Sequence, residues 1–318
     1  MSNPSEIRNP QSEVSSDRGH LLTEQRNDAT AALDALDTES ALRVINAQDA
    51  RVAKAVEAAV PAIAGLVDAV VGGMRRGGRL VYIGAGTSGR LGVLDASEIP
   101  PTFQAPAGRV IGIIAGGDGA LRVSSEGKED DPQGAWPELE KLGLTDADTL
   151  VGIAAGGTTP YVWGGIDFAK QRGAATGFVT CVRLTDVPQA RDVGVDHGVE
   201  LLVGPEVVTG STRMKAGTAT KLALNMISTL AMVQLGKTWG NLMIDVKASN
   251  AKLRDRAVRI VQSQTELTRE AALAVLDRAE GSAKLAIVMD RLGVDASTAQ
   301  ARLDEHGGRM RPLLGDPR

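Results

Sequence analysis

The stretch from Leu80 to Pro101, LVYIGAGTSGRLGVLDASEIPP, decides how the chain is read. An apolar run, LVYI, stops at Gly84-Ala85-Gly86-Thr87-Ser88-Gly89, a literal G-x-G-x-x-G. Glycine-rich turns from strand to helix handle phosphate, because the helix start offers free N–H groups and the positive end of its dipole. A dinucleotide site also needs an acidic residue about 20 positions after the glycines, closing the second strand. Here the second run ends in IIAGGDG, and Asp118 lies well beyond that spacing. The dinucleotide fingerprint is poorly matched. Thr87 and Ser88 add two hydroxyl donors at the helix start, which suits a phosphate monoester; a glycine turn with capping hydroxyls reads the same way.

Working outward, RLVYIGAG, RVIGIIAGG, DTLVGIAAGG, ATGFVTC and VELLVGPE are short apolar runs with helical segments between several of them. Continuous apolar strands alternating with helices indicate a parallel sheet covered on both faces. Its crossovers are right-handed, and ligands bind beyond the carboxyl ends of the strands near the topological switch point.

The 318 residues are 43% hydrophobic but only 3% aromatic, so the core is aliphatic. The 37 glycines follow no G-X-Y period, which excludes collagen. The net charge of −4 and the lack of a Lys/Arg block argue against a nucleic-acid partner. A single cysteine, Cys181, allows no internal disulfide, and with three histidines a Cys/His zinc site is not expected. There is no basic-then-apolar leader and no uncharged apolar run of spanning length. A cytoplasmic protein without a membrane partner is the expectation.

Residues 1–20 read as a polar, disordered tail. A short helix is expected near Glu39–Gln48, then a long one over Asp49–Met74, kinked or broken at Pro61 and stopped by Gly77-Gly78. Met214–Lys237 reads as a long helix suited to deep burial or a subunit interface. From about Ser263 three short amphipathic helices follow, with capping starts at Thr265–Arg269 and Asp295–Ala299. The expected organisation is a tail at 1–20, an α/β domain with N-terminal helices at 21–262, and a small helical domain at 263–318.

Two further loops stand out, the first of them an approximate echo of the glycine turn at Gly84–Gly89. Ala154-Ala155-Gly156-Gly157-Thr158-Thr159-Pro160 also follows a strand and opens a helix, and a plain turn explains it equally well. In VVTGSTRMKAGTATK, Thr209, Ser211 and Thr212 precede a helix whose start carries Arg213 and Lys215. Cations oppose the dipole there, and a bound anion would resolve the conflict; bases reaching solvent or a carboxylate would too. Glu98 lies in DASEIPP, where Pro100 and Pro101 are expected to end the helix; the negative dipole end would favour its protonated form, as a general acid requires. Glu129 sits in SSEGKEDD with Glu126, Asp130 and Asp131, a pattern that usually marks a solvated loop.

GAGTSGRLGVLDASEIPPTF, EVVTGSTRMKAGTATKLALNM and LDEHGG closely resemble the N-acetylmuramic acid 6-phosphate etherases of the sugar isomerase (SIS) domain superfamily, and the likeness runs from about Leu21 to Leu314. The family is also similar to the glucokinase regulatory protein, which binds sugar phosphates without catalysis. The resemblance implies a five-stranded parallel sheet in an αβα sandwich, a helical C-terminal domain and a homodimer. It implies cleavage of the C3 lactyl ether of a sugar phosphate by elimination and water addition, with no metal or other cofactor. It implies Glu98 as the acid that protonates departing lactate and Glu129 as the second catalytic carboxylate, the base. Thr87, Ser88, Gly156, Gly157, Thr158, Ser211, Thr212, Arg213, Lys215 and His306 would bind substrate, with His306 carried toward a partner subunit's site or simply exposed at a helix end.

Two features depart from the family pattern. The second loop usually reads Ala-Ala-Ser-Gly-Arg-Thr-Pro, whereas Gly156 and Thr158 here stand for the serine and the arginine. VRLTDVPQ after Cys181 lacks the usual Asn-Pro. A phosphosugar isomerase and a non-catalytic sugar-phosphate sensor are the competing readings.

Overall fold

A computed structural model of the protein describes residues 18–123, 125–245 and 251–318. Most of the expected tail, residues 1–17, lies outside them. Three helices lead in: α1 (Thr38–Asp49), α2 (Val52–Ala58) and α3 (Val60–Arg75). The expected long helix breaks at Ala59, and Pro61 sits in the first turn of α3, where its missing N–H leaves no bond unmade. The segments before and after the break bend by 56°. No single described helix is long and apolar enough to cross a membrane.

Each of the five apolar runs contributes to a strand: β1 (Leu80–Gly84), β2 (Val110–Ile114), β3 (Thr149–Ile153), β4 (Ala175–Thr180) and β5 (His197–Glu200), although β5 starts before the fifth run and shares only Val199 and Glu200 with it, residues 201–206 leaving the strand as loop. They form one parallel sheet in the order β2-β1-β3-β4-β5. Every residue of β1 and β3 is buried, which is why these runs are apolar throughout rather than alternating. Leu80 and Tyr82 enter the core on one face, and Val81 and Ile83 the core on the other, as the two-residue period of a strand requires. The first face is covered by α3, α4 (Gly86–Phe103) and α8 (Lys215–Gln234); the second by α5 (Trp136–Leu142) and α6 (Pro160–Gln171), with the short α7 (Pro188–Asp192) before β5. This is the αβα sandwich.

Two local expectations change. Pro100 and Pro101 do not end α4; the helix runs to Phe103, and Gln104 closes it with a φ of 49°. Ile99 and Phe103 are buried in the core below, and that packing holds the last turn against the lost backbone bonds. Glu98 therefore lies more than a turn before the helix end, outside the reach of the negative dipole terminus.

The C-terminal helices are α9 (Ala251–Gln264), α10 (Arg269–Arg278), α11 (Ala283–Leu292), α12 (Ala296–Glu305) and α13 (Arg311–Leu314). Asp295 caps α12 by accepting the Thr298 N–H at 2.8 Å. Thr268, not Thr265, caps α10, because the Thr265 hydroxyl turns back to donate to Val261 O at 2.8 Å. These helices share a core with Trp239 and Ile244, which reaches across the line expected at residue 263. The amphipathic α9 buries Ala257, Val258 and Val261 in that same cluster.

Candidate functional site

The sheet order puts the switch point between β1 and β3. From β1 the chain crosses to β2 on one side, and from β3 to β4 on the other. Gly84 and Ile153 are register partners at the carboxyl ends of these strands, so the first two loops leave the sheet side by side. A crevice there is the usual ligand site of such sheets. In the first loop the glycines allow close approach: a Cβ on Gly89 would lie 2.6 Å from Gly84 O. Gly89 N–H makes the first bond into α4, to Ala85 O at 3.1 Å, leaving the N–H groups of Gly86, Thr87 and Ser88 ahead of it. No side chain caps α4 or α6.

The third loop folds over the first. A Cβ on Gly217, in the first turn of α8, would lie 3.5 Å from both Thr87 Cγ2 and Thr212 O. Ser211 N–H donates to Val208 O at 2.9 Å and Thr212 N–H to Gly210 O at 3.0 Å, making the loop a tight turn. In the second loop Gly157 has a φ of 76°, and its carbonyl accepts the Trp163 indole N–H at 2.7 Å. Trp163 is itself buried and stacked on Phe178 at 4.5 Å, so this loop is rigidly seated.

The hydroxyls of Thr87, Ser88, Thr158, Thr159, Ser211 and Thr212 bond to no described residue, and neither does the exposed Arg213 guanidinium. Hydroxyls and free N–H groups are thus carried by three neighbouring loops, two of them at uncapped helix starts, and Arg213 is exposed on the third. That arrangement can hold a phosphate and the polar rim of a sugar. Glu129 joins it: its carbonyl accepts the N–H of Tyr161, in the first turn of α6, at 3.0 Å. Glu98 does not. It is exposed on α4, about 16 Å of helix rise beyond Thr87. His306 ends α12 in a turn through Gly307 and Gly308, whose φ angles are 60° and 74°. A Cβ on Gly236, beyond the far end of α8, would lie 3.2 Å from Gly308 O. The 20 residues of α8 put that end about 30 Å from the third loop.

Two models of the glucokinase regulatory protein family match the chain. Its N-terminal SIS domain matches residues 62–170, and its C-terminal lid domain residues 240–306. The N-acetylmuramic acid 6-phosphate etherase of Synechococcus sp. (strain CC9605) is 52% identical over 96% of this chain and 95% of its own. That of Gloeobacter violaceus is 52% identical over 92% and 95%. The chain belongs to the N-acetylmuramic acid 6-phosphate etherase family. A phosphoheptose isomerase from Francisella tularensis is 18% identical, with a TM-score of 0.46 over 60% of this chain and 98% of that one.

Relative to the etherase pattern, Gly156 leaves room rather than a clash. Its φ is ordinary for an L-residue, and a Cβ there would meet Thr23 Oγ1 at 3.5 Å, normal contact. The cations at the start of α8 are also accounted for. Lys215 is 1% exposed, and its ammonium donates inward to Val203 O at 3.0 Å and to Gln48 Oε1 at 3.4 Å. Burial lowers its pKa, with Glu206 opposing. The buried Glu206 carboxylate accepts the N–H groups of Lys215 at 3.0 Å and Ala216 at 2.8 Å. A protein carboxylate therefore caps α8, and only Arg213 of the two cations faces out.

Sequence reasoning missed Glu206, in VGPEVV, because nothing local ties it to a helix that starts beyond a loop. It also missed Asp95, one turn before Glu98. Asp95 is 3% exposed, lies 3.8 Å from Lys221, and has its pKa raised first by burial. Cys181 is buried as expected, with its thiol pushed up to about 12 by burial and then by Glu206; it is no nucleophile. Among the described residues no three His, Cys, Asp or Glu side chains gather as metal ligands would.

Proposed function

We propose that the protein cleaves the C3 lactyl ether of N-acetylmuramic acid 6-phosphate, giving N-acetylglucosamine 6-phosphate and D-lactate, in the recycling of peptidoglycan amino sugars in the cytoplasm. The carrying observation is the set of uncommitted hydroxyls and N–H groups at the switch point, in a chain half identical to etherases along nearly its whole length. The phosphate is read onto the uncapped start of α4 and the Ser211–Arg213 turn that folds over it, since Glu206 already occupies the start of α8.

The chemistry asks for two carboxylates. In the open-chain sugar the C2 proton is acidified by the C1 aldehyde. Glu129 takes that proton, the electron pair forms a C2–C3 double bond, and the C3–O bond breaks. Glu98 gives its proton to the departing lactate oxygen. Glu98, now ionised, takes a proton from water as hydroxide adds to C3, and Glu129 returns its proton to C2. Such positioned proton transfers contribute about 10²–10⁴-fold each.

Within one chain Glu98 lies far from the loops, so the reading includes a homodimer. Leu94, Val60, Met226 and Leu230 are exposed large apolar residues on α4, α3 and α8. A groove of about 380 Å³ along α3 and α8 is lined by Val60, Ile63, Met226, Leu230 and Val233. A second copy covering this face would carry its own Glu98 with it, and an isologous contact would complete two sites at once.

The test is lactate release by the wild type, Glu98→Ala and Glu129→Ala, with C2 proton exchange followed in deuterated water. Release by the wild type alone, with exchange kept in Glu98→Ala and lost in Glu129→Ala, is expected. Gly156 and Thr158 favour one second reading, a sensor that binds sugar phosphate without turnover. Tight binding with no lactate from the wild type would establish that reading instead.

A further inference from the structure

The segment before α1 is part of the candidate site. Leu21 is 1% exposed and packs in the core beneath the second face of the sheet. Farther on, Asn27 donates to Pro205 O at 3.1 Å and to Gln48 Oε1 at 3.0 Å, and Thr30 donates to Val207 O at 2.9 Å. The segment is thus pinned at both ends across the carboxyl edge of the sheet. Between the pins, Thr23 Oγ1 lies 3.5 Å from the Cβ position of Gly156, in the second loop. Glu24 Oε2 lies 3.4 Å from the Cβ position of Gly210, which opens the third. Thr23 is 2% exposed, and its hydroxyl donates to Glu24 Oε1 at 3.2 Å. Glu24 is exposed, and its Oε2 bonds to no described residue.

A carboxylate fixed at the mouth of a site rich in donors accepts what phosphate cannot supply, namely hydrogen bonds from neutral donors on a sugar. It also repels an anion. We propose that Glu24, oriented by Thr23, is a substrate-binding residue that accepts hydrogen bonds from hydroxyl or acetamido N–H donors of the sugar and turns the phosphate toward the start of α4. This rests on the sugar-phosphate reading above, and its test separates the two.

The experiment uses the full chain and equilibrium binding of N-acetylglucosamine 6-phosphate, glucose 6-phosphate and inorganic phosphate, beside lactate release. Glu24→Gln keeps the shape and removes the charge. The expected result is sugar-phosphate binding weakened about tenfold, KM raised alike, kcat and melting temperature nearly unchanged, and inorganic phosphate bound as well or better. Thr23→Val is expected to give a smaller loss in the same direction. A loss confined to N-acetylglucosamine 6-phosphate assigns the acetamido N–H as donor; an equal loss for both sugars assigns a hydroxyl. Unchanged sugar affinity in Glu24→Gln, or equal weakening of inorganic phosphate, overturns the proposal. Absence of lactate release by the wild type sinks only the etherase reading, because the binding arms need no turnover.

Discussion

Glu206 closes the start of the helix that Lys215 begins: its two carboxylate oxygens accept the Lys215 and Ala216 N–H groups while the Lys215 ammonium turns away into the core. The third loop is therefore preformed. Glu206→Ala leaves two buried N–H groups without acceptors and should cost about 2–4 kcal/mol. Chemical denaturation measures that loss, and sugar-phosphate affinity should fall with it as Ser211–Arg213 lose their anchor. Lys215→Met, by contrast, should change stability while leaving KM within about twofold, since the ammonium faces inward. A KM rise as large as that of Arg213→Ala would put Lys215 back at the ligand.

If Glu98 acts across a dimer, two inactive variants should rescue each other. Glu98→Ala and Glu129→Ala, mixed, unfolded and refolded together, should recover about a quarter of the wild-type activity, because half of the dimers are mixed and each carries one intact site. Sedimentation should show a dimer in each case. No recovery in mixed dimers of proven composition would mean that both carboxylates must come from one chain.

Asp95 gives a pH dependence with a definite sign. Its carboxyl is raised above the ordinary 3.8 first by burial, while Ser228, Lys221 and Tyr82 oppose and Glu98 adds. Between the ordinary and the raised value the folded protein holds more protons than the unfolded chain, so stability falls as pH rises through that window. Asp95→Asn removes the titration. The wild-type melting temperature, minus that of the variant, should decline as pH rises above 3.8 and level off once the raised value is passed. A difference that stays flat would show that the carboxyl titrates alike in both states.

The second loop can be tested by giving back what it lacks. Gly156 has an ordinary φ and ordinary contact distances, so Gly156→Ser should fold with a melting temperature near wild type. With Thr158→Arg beside it, a hydroxyl and a cation return to the mouth. KM for the sugar phosphate should drop by about three- to tenfold. An unchanged KM would mean that the remaining hydroxyls and Arg213 already saturate the phosphate.

The order of strands and helices was readable because β1 and β3 are buried on both sides and so carry unbroken apolar text. Thr87 and Ser88 stood out because hydroxyls follow the glycines that turn β1 into α4, and Ser211–Arg213 because they run straight into the long α8. Other features obeyed distant partners. Pro100 and Pro101 pointed to a helix end, and the burial of Phe103 overrode them. Thr23 and Glu24 sit in polar text with no period, and only the pins at Leu21, Asn27 and Thr30 reveal where they lie. The inward turn of Lys215 depended on Glu206, Val203 and Gln48, contributed from three places in the chain.

The helix that begins under the third loop ends at the C-terminal helices. There Lys284 donates to Gly236 O at 2.9 Å, and Asp245 pairs with both Lys237 and Lys284 at 3.0 Å. Such a rod is a lever. Over about 30 Å of length, a tilt of about 2° at one end moves the other by about 1 Å. That is a third of a hydrogen bond's reach, so a small shift of the helical unit would re-aim Ser211 and Arg213 from the far end of the rod.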